Sequence, residues 1–164
     1  MIAKNTFKNF TLFAGSIGFA GSIEEFQPPA LKLKTEDYRA GGMDAPVALD
    51  MGMEKLEATG TLTGYEQELL KLVGTSTEFT ARGSLATHGG DETPVEIKMT
   101  ALVVSLEPDA WKPGEKAALK FTLALTYYKY TQGGTTLHEI DIPNFKRIIN
   151  GTDQLATQRR NLGL

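Results

Sequence analysis

ALKFTLALTYYKY, residues Ala118–Tyr130, is the stretch that decides the fold class. Leu119, Phe121, Leu123, Leu125 and Tyr127 alternate with Lys120, Thr122, Ala124, Thr126 and Tyr128. A period of two places the first set on one face of a strand and predicts that face in the core. The same alternation runs through Val47–Glu54, where Val47, Leu49 and Met51 are predicted to pack in that core beside Leu119, Phe121, Leu123 and Leu125. Thr77–Thr87 sets Phe79 and Leu85 on one face. Val95–Met99 alternates cleanly, and Ala101–Leu106 turns apolar on both faces, as a covered strand does. Leu31–Arg39 and Leu137–Ile142 complete a set of about seven to nine strands.

Turn chemistry supports the pairing of these strands. His88-Gly89-Gly90-Asp91 and Gln132-Gly133-Gly134-Thr135 each lie between strand patterns, where hairpin loops belong. FTLFAGSIGFAG, from Phe10, reads as an N-terminal strand and small hairpin. Two segments read as short helices. Thr63 and Glu66 form a capping box ahead of Tyr65, Leu69, Leu72 and Val73, with Gly74 as the stop. Thr152 or Asp153 caps Gln154–Leu162, and Gly163 ends it. The expected fold is mainly β, sandwich or barrel-like, with two short α-helices. No repeat or linker divides the chain, so residues 1–164 are expected to form one domain.

Composition narrows the function classes. The 17 basic and 20 acidic residues give a formal charge of −3, which argues against a dedicated nucleic-acid binder. The absence of cysteine removes disulfides, thiol catalysis and Cys-ligated metal. No stretch approaches the roughly 20 apolar residues that span a bilayer, so no membrane anchor is expected. Lys4 and Lys8 ahead of Phe10–Ile23 imitate a leader, but Thr11, Gly15, Ser16 and Gly18 dilute the apolar run.

Catalytic chemistry is not legible either. The series Gly15, Gly18, Gly21 is followed by Ser22-Ile23 rather than the Lys-Ser/Thr pair that a phosphate loop needs. His88 and His138 have no acidic neighbours at ligand spacing and read as surface or edge residues. Glu24-Glu25, Glu36-Asp37 and Asp91-Glu92 are adjacent in sequence, so on strands they diverge to opposite faces. Trp111, in the bend Glu107–Gly114, is expected to plug a sheet edge. Catalytic, cofactor and metal sites are expected to be absent.

Three blocks carry a family resemblance: YRAGGMDAPVALDMGMEKLEA at Tyr38–Ala58, WKPGEKAALKFTLALTYYKY at Trp111–Tyr130, and INGTDQLATQRRNLGL at Ile149–Leu164. Together with Asn9–Phe13 and its glycine turn, they resemble the major tail tube protein of contractile-tail bacteriophages and the related R-type pyocin tubes. The likeness runs from end to end, with Thr75–Val95 the least family-like stretch.

The resemblance implies a structural subunit forming six-membered rings, stacked helically into a hollow tube, with the inner sheets joined into one barrel around the lumen. It also implies a surrounding sheath, baseplate and tail terminator partners, DNA only in transit, and a place in the virion tail assembled in the host bacterial cytoplasm. A genome-delivering phage and a headless bacteriocin-like particle both fit. Two alternatives are a tube protein of a type VI secretion-like system and a small ligand-binding β-sandwich.

Expected contacts between subunits are Arg39, Gly41, Gly42, Met43 and Asp44 in the loop Ala40–Pro46 and its flank, and Arg159, Arg160 and Leu162 near the C-terminus. Both chain ends are expected to act as assembly arms. Lys32, Lys34 and Glu36 on one strand, beside Asp50 and Glu54 on the next, are expected to line the lumen as a mixed-charge face.

Overall fold

The computed structural model of the protein describes residues 6–86 and 89–164. His88 of the expected glycine turn and residues 2–5 of the expected N-terminal arm lie outside the described residues.

Among the described residues, twelve strands and two short helices follow in order: β1 Thr6–Ala14, β2 Ile17–Gly18, β3 Ile23–Gln27, β4 Leu33–Tyr38, β5 Val47–Met53, β6 Glu57–Thr63, α1 Gln67–Leu70, β7 Ser76–Ala86, β8 Glu92–Pro108, β9 Ala118–Gln132, β10 Thr135–Asp141, β11 Lys146–Ile149, β12 Thr152–Asp153 and α2 Ala156–Asn161. Ten strands form one antiparallel sheet, and β4 and β5 form a separate two-stranded one. The long strand β9 organises the rest. Along one edge it pairs with β8; along the other it pairs first with β6 (residues 118–124) and then with β10 (residues 127–132).

Both ends of this ladder feed one core. Leu12, Phe79, Ile97 and Met99 from β1, β7 and β8 meet Leu62, Leu119, Phe121 and Leu123 from β6 and β9 in one cluster. Leu119, Phe121, Leu123 and Leu125 are buried, as their alternation predicts. Two irregularities bend the β8–β9 pair: an extra residue, Thr126, in β9 opposite Thr100/Ala101, and another, Val104, in β8. The first changes which tyrosine points inward. Alternation through Leu125 predicts Tyr127 on the core face, but the extra residue shifts the phase by one and buries Tyr128 instead.

Glycines close two hairpins and shape the core. Gly133 and Gly134, both with positive φ (59° and 82°), make the two-residue β9–β10 turn that the sequence predicts. The N-terminal hairpin β1–β2 also forms, with Phe13 opposite Gly18. Gly60 in β6 lies opposite Phe121, and a Cβ there would stand 2.7 Å from a carbon of that ring. The aromatic ring occupies the space a side chain would need.

Several expectations are corrected. Val47, Leu49 and Met51 are not in the core: they are 50%, 45% and 56% exposed, because the β4–β5 sheet stands off the main one. Met53, at the strand's end, does pack against the core. Leu102 and Val104 of the doubly apolar stretch are exposed on their outer face. The capping box does not form. Glu66 instead accepts a hydrogen bond from the Ser22 hydroxyl (2.6 Å), Thr63 bonds Glu24, and α1 is one turn long. The second helix starts later than expected, since Thr152 and Asp153 pair with β11 as a strand. Trp111 plugs no edge; it is 83% exposed and donates to the Tyr65 hydroxyl at 2.6 Å.

Candidate assembly surfaces

The β4–β5 hairpin is built from register and one bulge. Tyr38 pairs with Val47, Glu36 with Leu49 and Thr35 with Asp50, while Leu33 pairs with Met53. The three-residue step on β5 against two on β4 is a bulge at Met51-Gly52, allowed by the positive φ of Gly52 (103°). Directly opposed residues share a face. One face therefore carries Tyr38, Val47 and Leu49, all exposed, with Lys34 and Glu36 among them. The other face carries Asp50, whose carboxylate meets Arg147 of the main sheet.

This register changes the expected charged face. Lys34 and Glu36 flank Thr35, so they lie on the side opposite Asp50 rather than beside it. Lys32, Lys34, Glu36 and Glu54 are exposed, as solvent-facing candidates should be. Asp50 is not a free surface charge. Arg147 Nη1 and Nη2 grip its two oxygens, Nη1 at 3.5 Å, and the Gly52 amide donates to Oδ1 at 2.9 Å. These bonds, that from Arg147 foremost, hold the Asp50 carboxyl below its usual range.

At the hairpin tip, Arg39, Gly41, Gly42 and Asp44 are exposed. Met43 is half-buried, turned back on its own loop: its sulfur accepts from the Ala40 amide at 3.2 Å and its carbonyl from Arg39 Nε at 3.1 Å. The loop is thus pre-shaped rather than slack.

The C-terminal residues divide into two kinds. Arg160 and Leu162 are exposed, as is Leu164. Arg159 is engaged within the chain: it pairs with Asp153 at 2.8 Å and donates to the Phe145 carbonyl at 3.0 Å. Asp153 Oδ1 also accepts from the Leu155 and Arg147 amides, at 3.0 and 3.4 Å. Burial alone would raise the Asp153 carboxyl, but these bonds outweigh it and hold it low.

Sequence reasoning missed Arg147 and read Asp153 only as a candidate helix cap, yet both exposed segments converge on these two residues. A signal was available for the turn between them. Asn150-Gly151, with φ of 52° and 77°, closes the β11–β12 hairpin, and Asn-Gly is a strong two-residue turn signature. Also missed was the outer face of the β7–β8–β9–β10 sheet. There Arg82–Glu96 and Lys129–Glu139 pair across strands and Lys98–Glu96 along β8, balancing charge over a broad polar surface.

Open edges complete the picture. Among the described residues, β3 pairs only with β6, β12 only with β11, and β4 and β5 only with each other. Unpaired strand edges beside exposed apolar faces are where another chain adds. Among the described residues no cluster of three or more His, Asp or Glu could hold a metal. No helix there is long and apolar enough to cross a membrane.

Comparison with known proteins gives consistent findings. A family model described as phage tail tube protein FII matches residues 4–163. The chain is 28% identical over 165 residues to the tail tube protein of Escherichia phage P2, covering 96% of each. It is 33% identical over 140 residues to the major tail tube protein of Serratia phage KSP20, covering 83% of this chain and 82% of that protein. Among solved structures, the sheath/tube terminator of the extracellular contractile injection system PVC superposes with a TM-score of 0.61 at 15% identity, over 76% of this chain and 94% of that one. The sheath–tube complex of the same system gives 0.58 at 14% identity, over 75% and 88%. At these identities the structural likeness is one of fold.

Proposed function

We propose that this chain, which belongs to the phage tail tube protein FII family and is a structural tail tube subunit, builds its tube as six-membered rings stacked helically. The observation that carries this reading is the β4–β5 hairpin. Tyr38, Val47, Leu49 and Met51 leave it apolar and exposed on a sheet that has no third strand among the described residues. Exposed apolar surface of this kind calls for a covering partner, and a second copy of the chain supplies one repeatedly.

In this reading residues 1–164 act as one domain with assembly arms. The hairpin tip (Arg39, Gly41, Gly42, Met43 and Asp44) and the C-terminal Arg160 and Leu162 contact neighbouring subunits, while Arg159 supports the C-terminal segment from within. Lys32 and Glu54, just outside the two strands at the base of the hairpin, face the lumen, so that DNA in transit meets a mixed wall with little net attraction. Lys34 and Glu36 rim the apolar face that the neighbouring copy covers, and Asp50 is held on the opposite face. A sheath outside, a terminator and a baseplate are the heterologous partners. The subunit assembles in the host cytoplasm and ends in the virion tail.

Electron microscopy of the purified chain tests the reading. Long hollow tubes of six-fold symmetry are the expected result. Monodisperse monomers over a wide concentration range would overturn it and favour a small binding module, and isolated short rings would favour a secretion-type tube.

A further inference from the structure

The two exposed segments of the subunit, the β4–β5 hairpin and the C-terminal helix α2, are far apart in sequence but meet at one residue, the hairpin at its side chain and the helix segment at its main-chain amide. Arg147 sits on β11 opposite Ile140, on the core-facing side of the sheet, and only 7% of its side chain is exposed. Its guanidinium reaches across to Asp50 of the hairpin. Its amide donates to Asp153, which also receives the Leu155 amide at the start of α2 and pairs with Arg159 inside that helix. Arg159 in turn holds the Phe145 carbonyl in the β10–β11 turn. Hollows of about 300 Å³ and 420 Å³ flank the Asp50–Arg147 bridge, one beside Phe145 and Lys146, the other beside Gln154 and Gln158.

Stability alone would not choose this arrangement. A buried cation loses hydration that one ion pair barely restores, and an apolar side chain of similar size commonly does as well or better. The Nε of Arg147 is moreover buried with no hydrogen-bond partner among the described residues. The best-attested use of such a buried ionic group is to fix register or orientation. Here there is something to orient: Leu31 and Met53 at the base of the hairpin pack on the core, while Leu33, Tyr38, Val47, Leu49 and Met51 are exposed.

We propose that Arg147 is a positioning residue that sets the angle of the β4–β5 hairpin through Asp50 and, through Asp153 and Arg159, locks α2 to the same frame. The hairpin and the C-terminal helix are then presented to neighbouring subunits as one rigid unit. That these surfaces serve assembly rests on the tube reading; the mechanical coupling itself does not, and it is measured on dispersed subunits.

The absence of native cysteine makes the measurement clean. Spin labels are placed at Gly41→Cys on the hairpin tip, Asn161→Cys at the end of α2, and Glu115→Cys on the body, taken in pairs with the body site. Pulsed dipolar distances in the full chain are then compared with and without Asp50→Ala. A single narrow distance is expected for each pair in the parent, and both the hairpin–body and the helix–body distributions should broaden in the variant. Arg147→Lys, which keeps the charge but loses the two-pronged grip, should broaden both as well. Asp37→Asn, a neighbouring acid on the hairpin with no ion pair among the described residues, should broaden neither. Unchanged distributions in Asp50→Ala would overturn the proposal. Broadening of the hairpin alone would overturn the coupling to α2. Either failure is separate from the tube reading, which stands or falls on microscopy of the unlabelled chain.

Discussion

Phe121 and Gly60 show what one residue contributes. The phenyl ring lies across a glycine on the next strand, so each fixes the size of the other. Phe121→Ala empties that site and should lower stability by about 2–5 kcal/mol, read as a fall in melting temperature and in soluble yield. Gly60→Ala should cost about 1–3 kcal/mol by the opposite route, forcing the ring to move. If the two share one space, the double variant will be less destabilised than the sum of the singles. Phe121 was legible in the sequence because its alternation is strong. Gly60 was not, because Glu57–Thr63 alternates through Ala58, Gly60 and Leu62, and two of those three are too small to register as a hydrophobic face.

At the scale of elements, the hairpin, the helices and their ion pairs behave as units. Asp50 and Asp153 are both held below their ordinary range, so the folded chain binds protons less readily than the unfolded one. Their ion pairs therefore contribute fully above the unfolded carboxylate value of about 3.9 and are lost as pH falls through the lower folded value. Hairpin–body distances should accordingly stay constant between about pH 8 and pH 5 and broaden only in stronger acid. Val47, Leu49 and Met51 support a second expectation. Changing all three to serine should leave the melting of dispersed subunits nearly unchanged, because these side chains contact little within the chain, yet abolish tubes in electron micrographs. The sequence made these three legible as one apolar face, but alternation reports that a face is covered without saying by whom. The Asp50–Arg147 bridge left no mark at all, since its partners stand 97 residues apart. The capping box failed for a related reason: Ser22, 44 residues upstream, took the Glu66 carboxylate.

For the whole molecule, the relevant question is which surfaces remain once one core is closed. Removing Asn161–Leu164 spares Arg159 and its bond to Asp153, so a folded subunit that assembles into shorter or fewer tubes is the expected result. Normal tubes from that truncation would remove the C-terminal segment from the contacts. The long strands were legible, because sustained alternation and Gly-Gly turns are local signals; the short strands β3, β11 and β12 were not. Nor was the placement of the second sheet, because it rests on the ion pair to Arg147, whose partners stand far apart in sequence. That placement has a thermodynamic consequence. If another copy covers this apolar face, as proposed, stability becomes a property of the solution rather than of the single chain. Association of folded subunits draws the folding equilibrium by mass action, so the apparent melting temperature should climb with protein concentration. The serine variant of Val47, Leu49 and Met51 should melt at one temperature however much of it is dissolved.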